Sequence, residues 1–201
     1  MHKSLCLMLA LLALAPAANA VTLSVVPESA SVDVGSTFIV DIMASGLQDG
    51  VAPSIGAFDL DLNYNPSLLS FNSVTFGSGL DVLGFGDIKD SGAITAGKVN
   101  AFEVSLDSVE ELNLLQPGTF RLFYLTFNAV AAGTSALQLS VNALSDAAGT
   151  SLDATLQNGS VTVAPVPLPA GVWLLLSGLA GIGLIRTRRP ADRLSIPGSA
   201  A

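Results

Sequence analysis

Asp59 and Asp61 stand two apart in the run Phe58-Asp-Leu-Asp-Leu-Asn-Tyr64. Extended backbone puts alternate side chains on one face, so the two carboxylates share a surface with Cα atoms roughly 6.6 Å apart. Paired carboxylates at such a spacing suit glycoside hydrolysis, provided one of them holds a proton at neutral pH. Nothing close in sequence would raise either pKa, so the simpler expectation is the solvated face of an amphipathic strand. Other aspartates gather in turns: Asp81 with Asp87 and Asp90, and Asp146 with Asp153 in Asp146-Ala-Ala-Gly-Thr-Ser-Leu-Asp153. Ca²⁺ is the metal such oxygens serve, and it wants about six to eight of them. Neither loop has the dense alternating spacing of a defined calcium loop, so turn geometry explains these aspartates equally well. His2 and Cys6 are the only histidine and cysteine. Ser78 lies in Gly77-Ser-Gly79, without the Gly-x-Ser-x-Gly pattern of a nucleophile elbow. The residues therefore predict no enzyme and no cofactor beyond a candidate Ca²⁺.

One further stretch carries recognition chemistry. Phe120–Ala129 is apolar on both faces, with Phe123, Leu125 and Phe127 on one and Leu122, Tyr124 and Thr126 on the other. A two-layer sandwich needs only one apolar face per strand. The second face is either covered by a loop or open to dock a partner or a sugar ring, with Tyr124 as the anchor.

The elements that must hold these residues read as short strands. Alternation marks 21–26, 31–34, 37–43 and 58–64, with further segments at 70–76, 99–106, 120–129, 136–143 and 158–163. Asn65-Pro-Ser67 is a turn. Residues 77–97, rich in glycine, read as a long excursion with short strand pieces, and 108–116 as a loop or a short helix presenting Val109, Leu112 and Leu115. Short strands separated by turn signals predict an all-β antiparallel sandwich or jelly roll over residues 21–165.

Both ends of the chain read as addresses. Residues 1–20 combine a charged start, an apolar stretch and Ala18-Asn-Ala20, the pattern of a secretory signal peptide for the Sec machinery. Its removal leaves neither histidine nor cysteine, which excludes disulfides, thiol nucleophiles and histidine-based acid–base chemistry from the exported part. At the other end, Pro167 and Pro169 precede an apolar run, and Arg186, Arg188, Arg189 and Arg193 follow it. Residues 169–185 would make a helix of about 25 Å, the short end of a bilayer span. Trp173 would sit at one interface, and the arginines would hold the C-terminus in the cytoplasm. Between the ends, 15 acidic residues face only Lys89, Lys98 and Arg121, a net charge of −12. A surface that acidic repels nucleic acid and anionic lipid.

Two resemblances rest on these residues. Val166-Pro-Leu-Pro-Ala170, the apolar helix and the arginine cluster over 166–193 resemble the PEP-CTERM sorting signal, with Leu168 in place of the name-giving Glu and a tail over 194–201. That resemblance implies processing by exosortase, a membrane protease, and delivery from the inner membrane to the cell surface or exopolysaccharide matrix. The middle of the chain resembles a cohesin domain through Ser31-Val-Asp-Val-Gly-Ser-Thr-Phe-Ile-Val-Asp-Ile42, Gly56-Ala-Phe-Asp-Leu-Asp-Leu-Asn-Tyr-Asn-Pro-Ser-Leu-Leu69, Phe123-Tyr-Leu-Thr-Phe-Asn-Ala129 with Gly133-Thr134, and Asn158-Gly-Ser-Val-Thr-Val163. Asn65 stands where that family commonly has Asp. This resemblance implies a jelly-roll sandwich of about nine strands, a fold whose relatives include carbohydrate-binding modules. The functional expectation is a non-catalytic exported binding or structural module, with polysaccharide as its candidate ligand, or alternatively a module that docks a protein at the cell surface as cohesins dock dockerins.

Overall fold

Within the described residues 20–166, eleven strands and one short helix arise where the alternation predicts them and at two places where it does not. In chain order the strands are β1 (Val21–Pro27), β2 (Ser31–Asp33), β3 (Thr37–Ser45), β4 (Ile55–Asn63), β5 (Leu69–Phe76), β6 (Asp87–Thr95), β7 (Lys98–Ser105), β8 (Phe120–Ala129), β9 (Gly133–Asp146), β10 (Ala154–Gln157) and β11 (Gly159–Ala164). The computed structural model describes residues 20–166 and, beyond them, Gly171, Leu174, Leu175, Ser177 and Gly178, which are helical. The expected signal peptide, apart from Ala20, lies outside the described residues. So do Pro167, Leu168, Pro169, Ala170, Trp173, Arg186, Arg188, Arg189 and the 194–201 tail. Among the described residues no helix is long and apolar enough to cross a membrane.

The strands form two sheets, ordered β10-β1-β3-β8-β5 and β2-β11-β9-β4-β7-β6. Two corrections to the expected sandwich follow. It has eleven strands rather than about nine, and it is not wholly antiparallel, because β1 pairs β10 and β11 pairs β2 in parallel. The core lies between the sheets, where Phe58, Leu60 and Leu62 of β4 face Phe123, Leu125 and Phe127 of β8, all at most 1% exposed. Phe58 stacks on Phe123 at 5.6 Å, and the edge of Tyr64 meets Phe127 at 5.0 Å. Strand β6 escaped the alternation because it is a sheet edge with no buried residue, so no period of two was written into it.

Residues 108–116 resolve as helix α1 (Val109–Leu115), and its start shows why. Ser108 Oγ accepts from Glu111 N at 3.3 Å, and Glu111 Oε2 accepts from Ser108 N at 2.9 Å, a reciprocal capping box. These contacts, first the one from the Ser108 backbone, hold the Glu111 carboxyl below its ordinary pKa. Of the expected apolar stripe only Leu112 is buried; Val109 and Leu115 are exposed. Behind the helix, Gln116 is buried and clamps two loops to it. Its Nε2 donates to the carbonyls of Ile55 (2.8 Å) and Gly79 (2.9 Å), and its Oε1 accepts from Ile55 N at 2.6 Å.

The connections 46–54, 77–86, 106–119 and 147–153 therefore share one end of the sandwich. The chain leaves from the other end, where Val163 pairs Gly133 one residue before β11 closes at Ala164.

Candidate functional site

Strand β4 runs through the middle of the six-stranded sheet between β7 and β9, so its outward residues are flanked on both sides. Alternation sends Asp59 and Asp61 outward, and register brings Asn100 and Lys98 of β7, together with Asn142 of β9, against them. Asn100 Nδ2 donates to Asp59 Oδ1 at 2.6 Å and to Asp61 Oδ1 at 3.0 Å, bridging the pair. Asn142 Nδ2 reaches Asp59 Oδ1 at 3.0 Å, and Lys98 Nζ pairs with Asp61 Oδ2 at 2.7 Å.

The expectation of a solvated face holds only in part. Asp59 is half-buried, and Asp61 is 2% exposed although it points out of the sheet, because its cross-strand neighbours cover it. Burial pushes the Asp61 pKa up, but hydrogen bonds from Lys98, Asn100 and Asn142 and the Lys98 charge outweigh it, leaving the pKa below the ordinary carboxylate value. A glycosidase pair needs a carboxyl that keeps its proton at neutral pH, and Asp61 is held ionised. The cluster is suited instead to holding Asp59, its half-buried carboxylate, as a fixed hydrogen-bond acceptor for a partner. The same face continues over the half-buried Phe102 and Val104 to the exposed Ile88, which register places opposite Val104. A polar array thus adjoins an apolar strip, the composition of a recognition surface.

The other outer face belongs to the five-stranded sheet and carries Tyr124 and Thr126, both half-buried. Leu122 is not with them. The β3–β8 ladder passes from Ile42 opposite Phe123 to Met43 opposite Arg121, skipping Leu122. This bulge breaks the alternation and buries Leu122 and Phe123 together. Tyr124 is not a bare platform either: the Arg121 guanidinium lies 5.3 Å from its ring centre while Arg121 Nε pairs with Asp41 Oδ1 at 2.8 Å.

The turn aspartates serve the backbone. Asp146 Oδ1 accepts from Ala148 N at 2.9 Å and Thr150 N at 2.8 Å, closing the turn after β9, while Asp153 is exposed. Asp81 Oδ1 accepts from Gly86 N at 2.9 Å, Asp90 Oδ1 from Ser91 N at 2.8 Å, and Asp87 pairs with Lys89 at 2.7 Å. Among the described residues no three acidic side chains converge on a point where Ca²⁺ would sit.

Sequence reasoning singled out Asp59 and Asp61 but missed Asn100, Asn142 and Lys98. Those partners lie 37 to 83 residues away and meet the aspartates only through strand pairing. It also missed Glu103, which alternation on β7 directs into the core between Phe58 and Lys89.

With this geometry in place, the likeness to known proteins is informative. A family model described as "Cohesin domain" matches residues 23–163. No curated protein matches the chain. Among solved structures, the sixth cohesin of scaffoldin B from Acetivibrio cellulolyticus, in complex with a Cel5 dockerin, is 18% identical with a TM-score of 0.58, covering 72% of this chain and 99% of that one. The cohesin of a type I cohesin–dockerin complex from Clostridium thermocellum is 17% identical with a TM-score of 0.59, covering 76% and 99%. A non-cellulosomal cohesin from the archaeon Archaeoglobus fulgidus is 22% identical with a TM-score of 0.55, covering 72% and 91%.

Proposed function

Because the chain belongs to the cohesin domain family, we propose that it is an exported, non-catalytic docking module. It would bind a dockerin-bearing partner through the outer face of its six-stranded sheet. The observation that carries the reading is Asp59, a half-buried acceptor already fixed in place by Asn100 and Asn142 beside the covered, ionised Asp61 and an apolar strip. Acceptors ordered before binding reduce the entropy lost on association. The partner is read from two of the solved likenesses, which are cohesins in complex with dockerins. The polysaccharide reading keeps Tyr124 as its anchor, where a sugar would have to displace or share the stacked Arg121. Docking is the better supported of the two.

Titration calorimetry of the full chain against dockerin-bearing proteins from the same genome tests this. Wild type should bind one of them, and Asp59→Ala should weaken that binding about tenfold, the effect of losing roughly 1.4 kcal/mol. No binding by wild type to any of those proteins would rule docking out.

For delivery we carry the sorting reading: Sec export, anchoring in the inner membrane through 169–185, and exosortase acting at Val166–Ala170. What supports it is the order of the prolines, apolar run and arginines in the sequence. Mass spectrometry of the native protein should show a shorter C-terminus in cells with exosortase than in cells without it. An intact 166–201 in both would remove processing from the account.

A further inference from the structure

At the end of the sandwich opposite Ala164, the connections 46–54, 77–86 and 106–118 are fastened to one another. Besides the Gln116 clamp, Asp107 Oδ2 accepts from Val82 N at 2.7 Å, Asp49 Oδ1 accepts from Gly118 N, and Ser54 Oγ donates to Asn113 Oδ1 at 2.7 Å. On this hydrogen-bonded support Val51, Leu83, Phe85, Leu106, Leu114 and Leu115 are all exposed, Phe85 at 77% and Leu114 at 68%. Single exposed apolar side chains need no explanation, but several held together at one end of a molecule mark an interaction surface. A cleft of about 520 Å³ opens there, walled by Gly79, Val82, Leu115, Pro117, Phe120 and Arg121, whose guanidinium is already engaged by Asp41 and Tyr124. Glycine is required at position 79, since a Cβ would collide with the Phe120 ring.

The charge around these side chains selects the occupant. The three connections contain Asp49, Asp81, Asp107, Glu110 and Glu111 and no lysine or arginine. A second copy would bring the same acidic rim, and an anionic bilayer would be repelled. Strand β11 ends at Ala164 at the opposite end of the sandwich, so the tip is not the end at which the strands finish. We propose that this tip is a second docking surface, separate from the sheet face, for a protein segment that presents apolar side chains flanked by lysine or arginine. Apolar anchors would enter the cleft between Val82 and Leu115, and basic groups would meet Asp49 and Glu110, both exposed.

The test uses the full chain in a mild nonionic detergent and a synthetic amphipathic helix of leucine and lysine as the probe. Binding should slow amide exchange in 46–54, 77–86 and 106–118. The double variant Phe85→Ser, Leu114→Ser should weaken it about tenfold or more, with exchange in β4 and β8 unchanged as the check on folding. Asp59→Ala should leave probe binding as in wild type, which keeps this surface distinct from the sheet face. Protection over β4 and β7 instead of the tip would overturn the proposal. Equal affinity for a probe of the same charge with its leucines replaced by serine would overturn it too, since net charge alone would then explain binding. Self-association of the wild type that the double variant abolishes would assign the tip to a second copy, and equally overturn it.

Discussion

Replacing Phe127 by alanine lowers the unfolding free energy by about 3–5 kcal/mol, the range for deleting a buried phenylalanine side chain. The site is at the severe end of such truncations for a geometric reason. Phe127 is fully buried and is the ring on which three others converge: Phe38 at 6.0 Å, Tyr64 at 5.0 Å and Phe71 at 6.0 Å. Those rings come from β3, from the turn after β4 and from β5, so both sheets meet on one side chain. A cavity there cannot close without moving several strands, and the lost contacts are not replaced. A domain of ordinary stability, about 5–15 kcal/mol, would lose about a fifth of it at the least. Urea denaturation of the variant beside Phe85→Ala reads the effect, since Phe85 is 77% exposed and should change stability by no more than about 0.5 kcal/mol. Equal midpoints for the two variants would contradict this description of the core.

Glu103→Gln stabilises the protein above pH 8 and removes most of the slope of stability between pH 5 and 8. Glu103 is fully buried, and neither carboxylate oxygen has a hydrogen-bond donor. Burial pushes its pKa up to about 8, helped by its contact with the Asp87 carboxylate and the charge of Asp81, and opposed by Lys89. A protonated Glu103 donates to Asp87; an ionised one faces it with like charge. The folded state therefore holds a proton that the unfolded chain releases near its ordinary value. Between those two pKa values the native form binds more protons, so stability is greatest at the acid end and falls as pH rises toward 8. The slope is at most about 1.4 kcal/mol per pH unit, for a total on the order of 3–5 kcal/mol. Asp61 acts in the opposite sense but elsewhere: its lowered pKa stabilises above the ordinary carboxylate range and is lost only on further acidification. Glutamine keeps the shape and the donor to Asp87 and cannot ionise. Melting curves of both proteins from pH 5 to 9 decide the matter, and parallel curves would show that Glu103 is not the titrating group.

The two surfaces differ in what an alteration would do. On the sheet face the acceptors are partly buried and held by hydrogen bonds to Asn100, Asn142 and Lys98, so changing one disturbs the others. At the tip the apolar side chains are exposed and independent of the core, so they can be exchanged with little effect on folding.

What the chain determined by itself was whatever rests on local patterning. Phe58, Leu60 and Leu62 announced one face of β4, and Phe123, Leu125 and Phe127 one face of β8, because an extended backbone alternates its side chains whatever surrounds it. Ser108 and Glu111 contained the helix start three residues apart, a signal within one turn. The tertiary structure alone decided what depends on pairing. The partners of Asp59 and Asp61 come from other strands, and the depth of Asp61 comes from their cover. The skipped residue in the β3–β8 ladder turned Leu122 into the core, against the local alternation. The same holds for Glu103, whose period on β7 marked it as inward, but only the edge strand β6 set Asp87 and Lys89 beside it. Strand faces are a property of neighbours in sequence, whereas burial, pKa and the company a side chain keeps are properties of register, which is set by the whole sheet at once.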